Sequence, residues 1–217
     1  IENSVYKIHG LSEHFLFAND DMLFCRAVTP DMFFTPDGRS IVRLGRYNRI
    51  KCAHHGNYIK KVWHMQELVR QLTGRLIPYS PHHNIDAYRR SDIELCTSLL
   101  HDEWLRTTYR RFRHDDNMHR SFIGYYTIAT GRAKIRRVGR YNQIYGLIPH
   151  LRAFFLRHFA YDSRRIQVNH GNFDDILRRY NPLMICINDN ERTTKSDCHR
   201  MEAFLQNLFR EKFRFEI

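Results

Sequence analysis

In Leu183-Met184-Ile185-Cys186-Ile187, followed at once by Asn188-Asp189-Asn190, a short apolar, partly β-branched run halts at three amide or carboxylate side chains. Such a run marks a buried strand that ends in a loop. A second stretch is built the same way. In residues 14–24, HFLFANDDMLF, the apolar run stops at Asn19-Asp20-Asp21 and then resumes. In open α/β sheets ligands bind beyond the carboxyl ends of strands. Two such tips gathered there would offer Asp20, Asp21, Asn188 and Asp189 as oxygen ligands for a hard cation such as Mg²⁺ or Mn²⁺. Alone, Asn-Asp-Asp is an ordinary turn, because these side chains hydrogen-bond their own backbone. The second tip is what favours a site.

Outward from the tips, strands and helices alternate. Residues 14–24 read as strand, polar turn and more extended chain. Asp31 to Phe34 and Ile41 to Leu44 read as short strands around the turn Pro36-Asp37-Gly38. From Asn57 to Leu72, the residues Ile59, Val62, Trp63, Val69 and Leu72 recur at helical spacing, and Gly74 supplies a C-terminal stop. Pro78 to His83 is a loop. Ser91 is expected to cap a helix, with Glu94 completing a capping box, that runs to about Trp104. Residues 118–130 are helical up to Gly131, and Arg165–Val168 and Leu183–Ile187 are strands. The stretch 197–211 closes as an amphipathic helix with Met201, Phe204, Leu205 and Leu208 on one face. This order predicts an α/β fold in a single domain over 1–217, with a mixed, partly parallel sheet and flanking helices. One echo, Arg43 to Ile50 against Arg137 to Ile144, is too short to make a repeat architecture.

The 217 residues carry 35 Lys and Arg against 23 Asp and Glu, a formal charge of +12. That surplus favours anionic partners: nucleic acid, nucleotides, phosphorylated sugars or an acidic membrane face. The most basic stretch, Arg106 to Arg120, interleaves Tyr109 and Phe112, and arginine forks suit phosphate oxygens. No nucleic-acid-binding signature accompanies it, and the acidic tips repel a polyanion that brings no metal, so no specific nucleic-acid partner is expected. The five cysteines (Cys25, Cys52, Cys96, Cys186, Cys198) form no CxxC and fit a reduced, cytoplasmic setting, with Cys186 a small core residue. No segment approaches the ~20 apolar residues of a membrane span, and Ile1 to Gly10 lacks the layout of a signal peptide. Gly-rich phosphate loops and nucleophile elbows are absent, which disfavours covalent serine chemistry. Cys52-Ala53-His54-His55 and Pro81-His82-His83 do not make a zinc spacing. A histidine beside a cation site suits acid–base work near neutral pH.

Taken in order, these motifs resemble the Stealth family, which includes bacterial capsular polysaccharide phosphotransferases and the eukaryotic GlcNAc-1-phosphotransferase. The second family block resembles Gly10 through Met22, continuing to Phe33-Phe34 and Asp37-Gly38. The third resembles His83 through Tyr88-Arg89-Arg90-Ser91, then Arg111-Phe112-Arg113, then Tyr125-Tyr126 and Ala129-Thr130-Gly131-Arg132-Ala133. The fourth resembles Cys186 through Asn190. This chain has Asn84-Ile85-Asp86-Ala87 where the family commonly has prolines after the histidine. It also lacks a first, VYTWVDG-like block. The chain is therefore expected to hold the later part of a glycosyltransferase-A-like catalytic domain, without its nucleotide-binding block.

The resemblance implies transfer of a hexose or N-acetylhexosamine 1-phosphate from a UDP-sugar donor to a hydroxyl of an oligo- or polysaccharide acceptor. It implies catalytic roles for His83, Arg113 and Asp21. Asn19, Arg89, Arg90 and Asn190 would contact substrate, and Asp20, Asp21, Asn188 and Asp189 would hold the metal. His83 would act as general base on the acceptor or stabilise the leaving phosphate. The expected location is cytoplasmic, with peripheral association at the inner membrane face where the positive surplus meets acidic lipid. Two competing readings stand: a basic polyanion-binding module without catalysis, and a phosphohydrolase using the same ligands with water as acceptor.

Overall fold

The computed structural model describes residues 2–47, 57–112, 114–138 and 163–211. In chain order the first elements are β1 (His14–Phe17), β2 (Met22–Phe24), β3 (Ser40–Tyr47), α1 (Asn57–Thr73), β4 (Tyr79–Pro81), β5 (Asp86–Arg89) and α2 (Arg90–Leu99). There follow α3 (His101–Tyr109), α4 (Ser121–Ala129), β6 (Ala133–Arg137), β7 (Ser163–Gln167), α5 (Phe173–Tyr180), β8 (Met184–Asn188) and α6 (Lys195–Leu208). The fold is α/β with mixed sheets, as the sequence pattern predicts. Two compact units share the chain. The described residues of Ile1–Phe17, Thr29–His82 and Asp86–Val138 make one; those of Ala18–Val28, His83–Ile85 and Gly139–Ile217 make the other.

In the first unit β3 runs antiparallel to β4 and parallel to β6, while β1 and β5 form an antiparallel pair. Helix α4 is apolar almost all round and correspondingly buried, with Phe122, Ile123, Tyr125 and Ala129 in the core beside Val62, Met65 and Val69 of α1. A Cβ built on Gly124 would meet Val42 at 3.1 Å, so glycine sets the close approach of α4 to β3. Gln66 donates to the carbonyls of Ile77 and Tyr79 at 3.0 and 3.2 Å, which ties α1 to the start of β4. The two copies of the sequence echo start on neighbouring parallel strands, where Leu44 of β3 lies beside Arg137 of β6.

The start of α2 departs from the capping expected at Ser91. The helix begins at Arg90, and the residue before it, Arg89, makes no side-chain cap. Glu13 takes over that task from outside the helix. Its carbonyl accepts the Arg90 N–H at 2.7 Å, and its carboxylate accepts the Ser91 N–H at 3.3 Å and the Ser91 hydroxyl at 2.5 Å. Burial would raise the Glu13 carboxyl, but the Ser91 hydrogen bonds and the Arg89 guanidinium outweigh it and hold the group below its usual range. Other expectations change as well, since the stretch read as a loop over Pro78 to His83 contains the strand β4 (Tyr79–Pro81). Pro30 opens a 3₁₀ turn over Pro30–Met32 where a strand was expected, because its ring fixes φ in the helical range. Leu100 leaves the helical region (φ −127°, ψ 48°) and splits the helix expected through Trp104 into α2 and α3, with Trp104 Nε1 donating across the break to the Cys96 carbonyl at 3.2 Å.

The second unit has the strand order β2-β8-β7, with β2 antiparallel and β7 parallel to β8. The parallel pair demands a crossover, and α5 lies in it. Asn172 caps α5 by accepting the Asp175 N–H, and left-handed Asn181 (φ 38°) ends it. This helix was not read from the sequence, although Phe173, Ile176, Leu177 and Tyr180 stand at helical spacing. Helix α6 begins directly after Thr194, which forms a capping box with Asp197. Its Phe204 stacks on Phe173 at 4.9 Å, inside a core with Ile166, Val168, Ile185 and Ile187. Among the described residues no helix is long and apolar enough to cross a membrane, and the four described cysteines are free.

Two stability measurements follow from these contacts. Phe204→Ala should lower the unfolding free energy by about 3–5 kcal/mol, the usual cost of emptying a buried aromatic site. Glu13→Gln should cost about 1 kcal/mol, the scale of a lost helix cap. Because the folded Glu13 pKa is depressed, its contribution is complete above the unfolded value of about 4.3 and disappears as pH falls through the lower folded value. Denaturant melts of the wild type and Glu13→Gln should therefore differ at neutral pH and converge in acid.

Candidate functional site

Successive side chains of a strand point to opposite faces, and β8 uses both. Ile185 and Ile187 face the core with Phe173 and Phe204, so Met184, Cys186 and Asn188 face the other way. Register places Ser163, Arg165 and Gln167 of β7 beside those three. Across the same face runs the short segment holding His83. The Ser163 hydroxyl donates to the His83 carbonyl at 2.7 Å, and the Ile85 N–H points at Met184 Sδ at 3.2 Å. These contacts bring His83 Nε2 to 2.9 Å from Cys186 Sγ.

Asp21 arrives from β2. Because β2 is antiparallel to β8, its beginning lies where β8 ends. A turn closed by the Met22 N–H on the Asn19 carbonyl (3.1 Å) precedes it, and the Asp21 carbonyl accepts the Ile187 N–H at 2.9 Å. Asn19-Asp20-Asp21 thus forms the turn, and the same turn sets the Asp21 carboxylate beside Asn188. Asp21 Oδ2 accepts the Asn188 amide at 2.6 Å and the Cys186 thiol at 3.0 Å, and stands 3.7 Å from His83 Nε2. Asp21 Oδ1 is buried and has no hydrogen-bond partner among the described residues. Burial would raise the Asp21 carboxyl; the Cys186 and Asn188 hydrogen bonds and the field of His83 win and hold it below its usual range. Burial, and after it the Asp21 carboxylate, push the Cys186 thiol far above an ordinary thiol.

Imidazole and carboxylate meet at one ring nitrogen. In a nucleophilic triad the carboxylate sits at the nitrogen opposite the nucleophile. Here Nε2 faces both Cys186 and Asp21, so the arrangement is a convergent donor cluster rather than a relay.

Of the residues singled out in the sequence, Asp21, His83 and Asn188 come together. Asp20 is exposed on the turn. Asp189 is exposed, and its Oδ1 accepts the neighbouring Asn190 N–H at 2.6 Å. Asn188 gives its amide nitrogen to Asp21, while its oxygen accepts Arg165 Nε at 2.6 Å. Asn190 Nδ2 donates to Gln167 and Asn169 at 2.7 and 2.8 Å, which braces the loop after β8. Asn19 is half-buried beside the turn. In the other unit, Arg89 pairs with Glu13 at 3.2 Å and lies 3.9 Å from the buried Asp92. Arg90 is exposed. Arg113 lies outside the described residues.

Mg²⁺ asks for about six oxygen ligands in near-octahedral array. Of the four oxygen donors expected from sequence, Asp21 and Asn188 reach the cluster, beside His83 Nε2 and Cys186 Sγ, while Asp20 and Asp189 are exposed. Among the described residues, Asp21 Oδ1 is a buried carboxylate oxygen left without a hydrogen-bond partner. Two participants escaped the sequence reading. Cys186, expected as a small core residue, is indeed fully buried; its two-residue spacing from Asn188 is the signal that its side chain also shares the polar face. Arg165, exposed and hydrogen-bonded to Asn188, puts a guanidinium beside the cluster.

Within the basic stretch of the first unit, the acidic residues Asp115 and Asp116 pair with nearby cations. Arg110 pairs with Asp116, which also accepts His114 Nδ1 at 2.6 Å, and Lys60 lies 3.5 Å from Asp115.

No family model matches the chain. Individual proteins do. It is 29% identical over 221 residues to an exopolysaccharide phosphotransferase of Nocardia farcinica, covering 96% of this chain and 39% of that protein. An exopolysaccharide phosphotransferase of Streptomyces coelicolor is 35% identical over 140 residues, 62% of this chain and 26% of its own length. One from Lactiplantibacillus plantarum is 25% identical over 247 residues, 98% of this chain and 65% of its own. The chain thus spans less than two thirds of each of these relatives, and over nearly its whole length it is similar to proteins named exopolysaccharide phosphotransferases.

Proposed function

We propose that the protein of which this chain is all or part is a Stealth-type phosphotransferase of exopolysaccharide synthesis. It moves a hexose or N-acetylhexosamine 1-phosphate from a UDP-sugar to a hydroxyl of a growing saccharide. The acceptor oxygen forms a bond to the phosphorus that carries the sugar, the bond from that phosphorus to the bridging oxygen breaks, and uridine monophosphate leaves. The observation that carries this reading is the pairing of His83 with Asp21 at the carboxyl end of β8, in a chain similar to phosphotransferases along almost all its length.

His83 Nε2 takes the acceptor proton, and the Asp21 carboxylate at 3.7 Å stabilises the imidazolium that results. Phosphoryl transfer is mostly positioning and charge stabilisation, and Arg165 offers a guanidinium beside the cluster for phosphate oxygens, with Arg113 in the same role as an expectation from the resemblance. A Mg²⁺ or Mn²⁺ ion, carried on the diphosphate, would meet Asp21 Oδ1 and would supply neutralisation of phosphate charge. The donor and the saccharide acceptor are the partners of this reading, and it puts the reaction in the cytoplasm at the membrane face. The screening of Arg110 and Lys60 by Asp116 and Asp115 speaks against a polyanion-binding surface there.

In the complete protein, a screen of UDP-sugars with Mg²⁺ and a saccharide acceptor should release uridine monophosphate and form a phosphodiester. Release of free sugar phosphate instead would identify a hydrolase. His83→Ala should lower kcat at least a hundredfold, the scale of a lost general base; a near-normal rate would remove His83 from that role. Arg113→Lys should also lose most activity, since a point charge does not reproduce the guanidinium fork.

A further inference from the structure

The cluster of Asp21, His83 and Cys186 holds one oxygen, one nitrogen and one sulfur donor, drawn from positions 103 and 165 residues apart in sequence. Their separations are 2.9 Å from Nε2 to Sγ, 3.0 Å from Sγ to Oδ2 and 3.7 Å from Nε2 to Oδ2. Around a tetrahedral zinc ion, bonds of about 2.0–2.3 Å put neighbouring ligand atoms roughly 3.3–3.6 Å apart. The triangle already has that size to within about half an ångström on each edge. It sits on a rigid base: Cys186 is fully buried in the central strand, Asp21 is pinned by its carbonyl to Ile187, and His83 by its carbonyl to Ser163. A second, independent observation also points to a cation. Asp21 Oδ1 is buried without a partner among the described residues, although buried carboxylate oxygens ordinarily find one.

The donor types select the ion. Magnesium takes oxygen ligands and shuns sulfur, whereas imidazole, carboxylate and thiolate together suit a borderline ion. We propose that Asp21, His83 and Cys186 form a binding site for Zn²⁺ or an ion of its class, with the fourth position left to water or a ligand oxygen. On binding, the Cys186 S–H bond breaks, its proton passes to solvent, and a sulfur–metal bond forms. His83 gives its Nε2 lone pair, so its ring proton resides on Nδ1. Once donated, that lone pair no longer accepts a proton from a sugar hydroxyl. Zinc occupancy and proton transfer by His83 therefore exclude one another, and a thiophilic ion acts on this site as an inhibitor. The inhibitory consequence rests on the transferase reading; the binding site rests on the geometry of the three donors.

The test is titration of the chelator-treated 217-residue chain with Co²⁺, a spectroscopic substitute for zinc, in a Cys52→Ser background that removes the Cys52-Ala53-His54-His55 stretch as a source of sulfur. A thiolate-to-cobalt charge-transfer band that Zn²⁺ abolishes is expected. The band should vanish in Cys186→Ser, and the apparent affinity should fall at least tenfold in His83→Ala. X-ray absorption of the zinc-loaded Cys52→Ser chain, which leaves the three donors unmutated, should show a sulfur neighbour at the metal. A chain that stays folded by circular dichroism yet gives no band, a band that persists in Cys186→Ser, or a zinc shell of nitrogen and oxygen alone would overturn the site. Cobalt binding without UDP-sugar turnover by the complete protein would uphold this site and end the transferase reading; turnover without cobalt binding would do the reverse.

Discussion

The two-residue alternation of β8 is the constraint on which the second unit depends. One strand of five residues supplies both a core wall, through Ile185 and Ile187, and a chemical wall, through Met184, Cys186 and Asn188. A shift of register by one residue would exchange the two walls, turning an amide into the apolar core and two isoleucines toward the segment holding His83. The apolar contacts of Ile185 and Ile187 with Phe173 and Phe204 therefore fix the chemistry on the opposite face without touching it. The strands on either side then follow: β7 brings Ser163 and Arg165 onto the polar face, and the antiparallel β2 starts where β8 finishes, which delivers Asp21.

The first unit shows how charged residues can be wholly occupied by architecture. Asp92 is buried and held by Arg132 at 2.5 Å, with Arg89 at 3.9 Å. Removing the arginine from such a pair leaves an uncompensated buried charge, so Arg132 and Arg89 carry a structural task here. Glu13 likewise serves α2 and Arg89 at once. Tyr88 and Tyr125, both within the stretches that resemble the Stealth blocks, lie in the apolar core. Much of that resemblance thus concerns a scaffold. The candidate site is formed by the few residues that the second unit's sheet collects.

What could be read from sequence divides along physical lines. Helix α1, with Gly74 at positive φ after it, and the helix ending before Gly131 were legible because apolar spacing and a stop signal agree locally. The strand at β8 was legible from its apolar run, and Asp21, His83 and Asn188 from the tips and the resemblance. Hidden features were those set by partners distant in sequence. Glu13 replaces the local cap of α2 from 78 residues away, and Cys186 could be seen as a donor only once Ile185 and Ile187 were known to face the core. Helix α5 is a different case: its apolar spacing, its Asn172 cap and the Asn181-Pro182 ending were all present in the chain and simply unread.

The discontinuity of the second unit carries a consequence for the life of the nascent or damaged chain. Its central strand is bordered on one side by just three residues, Met22–Phe24, that belong to a segment made long before Met184 emerges. Until that ribbon docks, or whenever a protease separates it, an almost wholly apolar strand has bare amide and carbonyl groups along one flank. Open flanks of this kind recruit other chains by backbone pairing. Self-association, rather than simple loss of order, is thus the failure to which this architecture is most exposed.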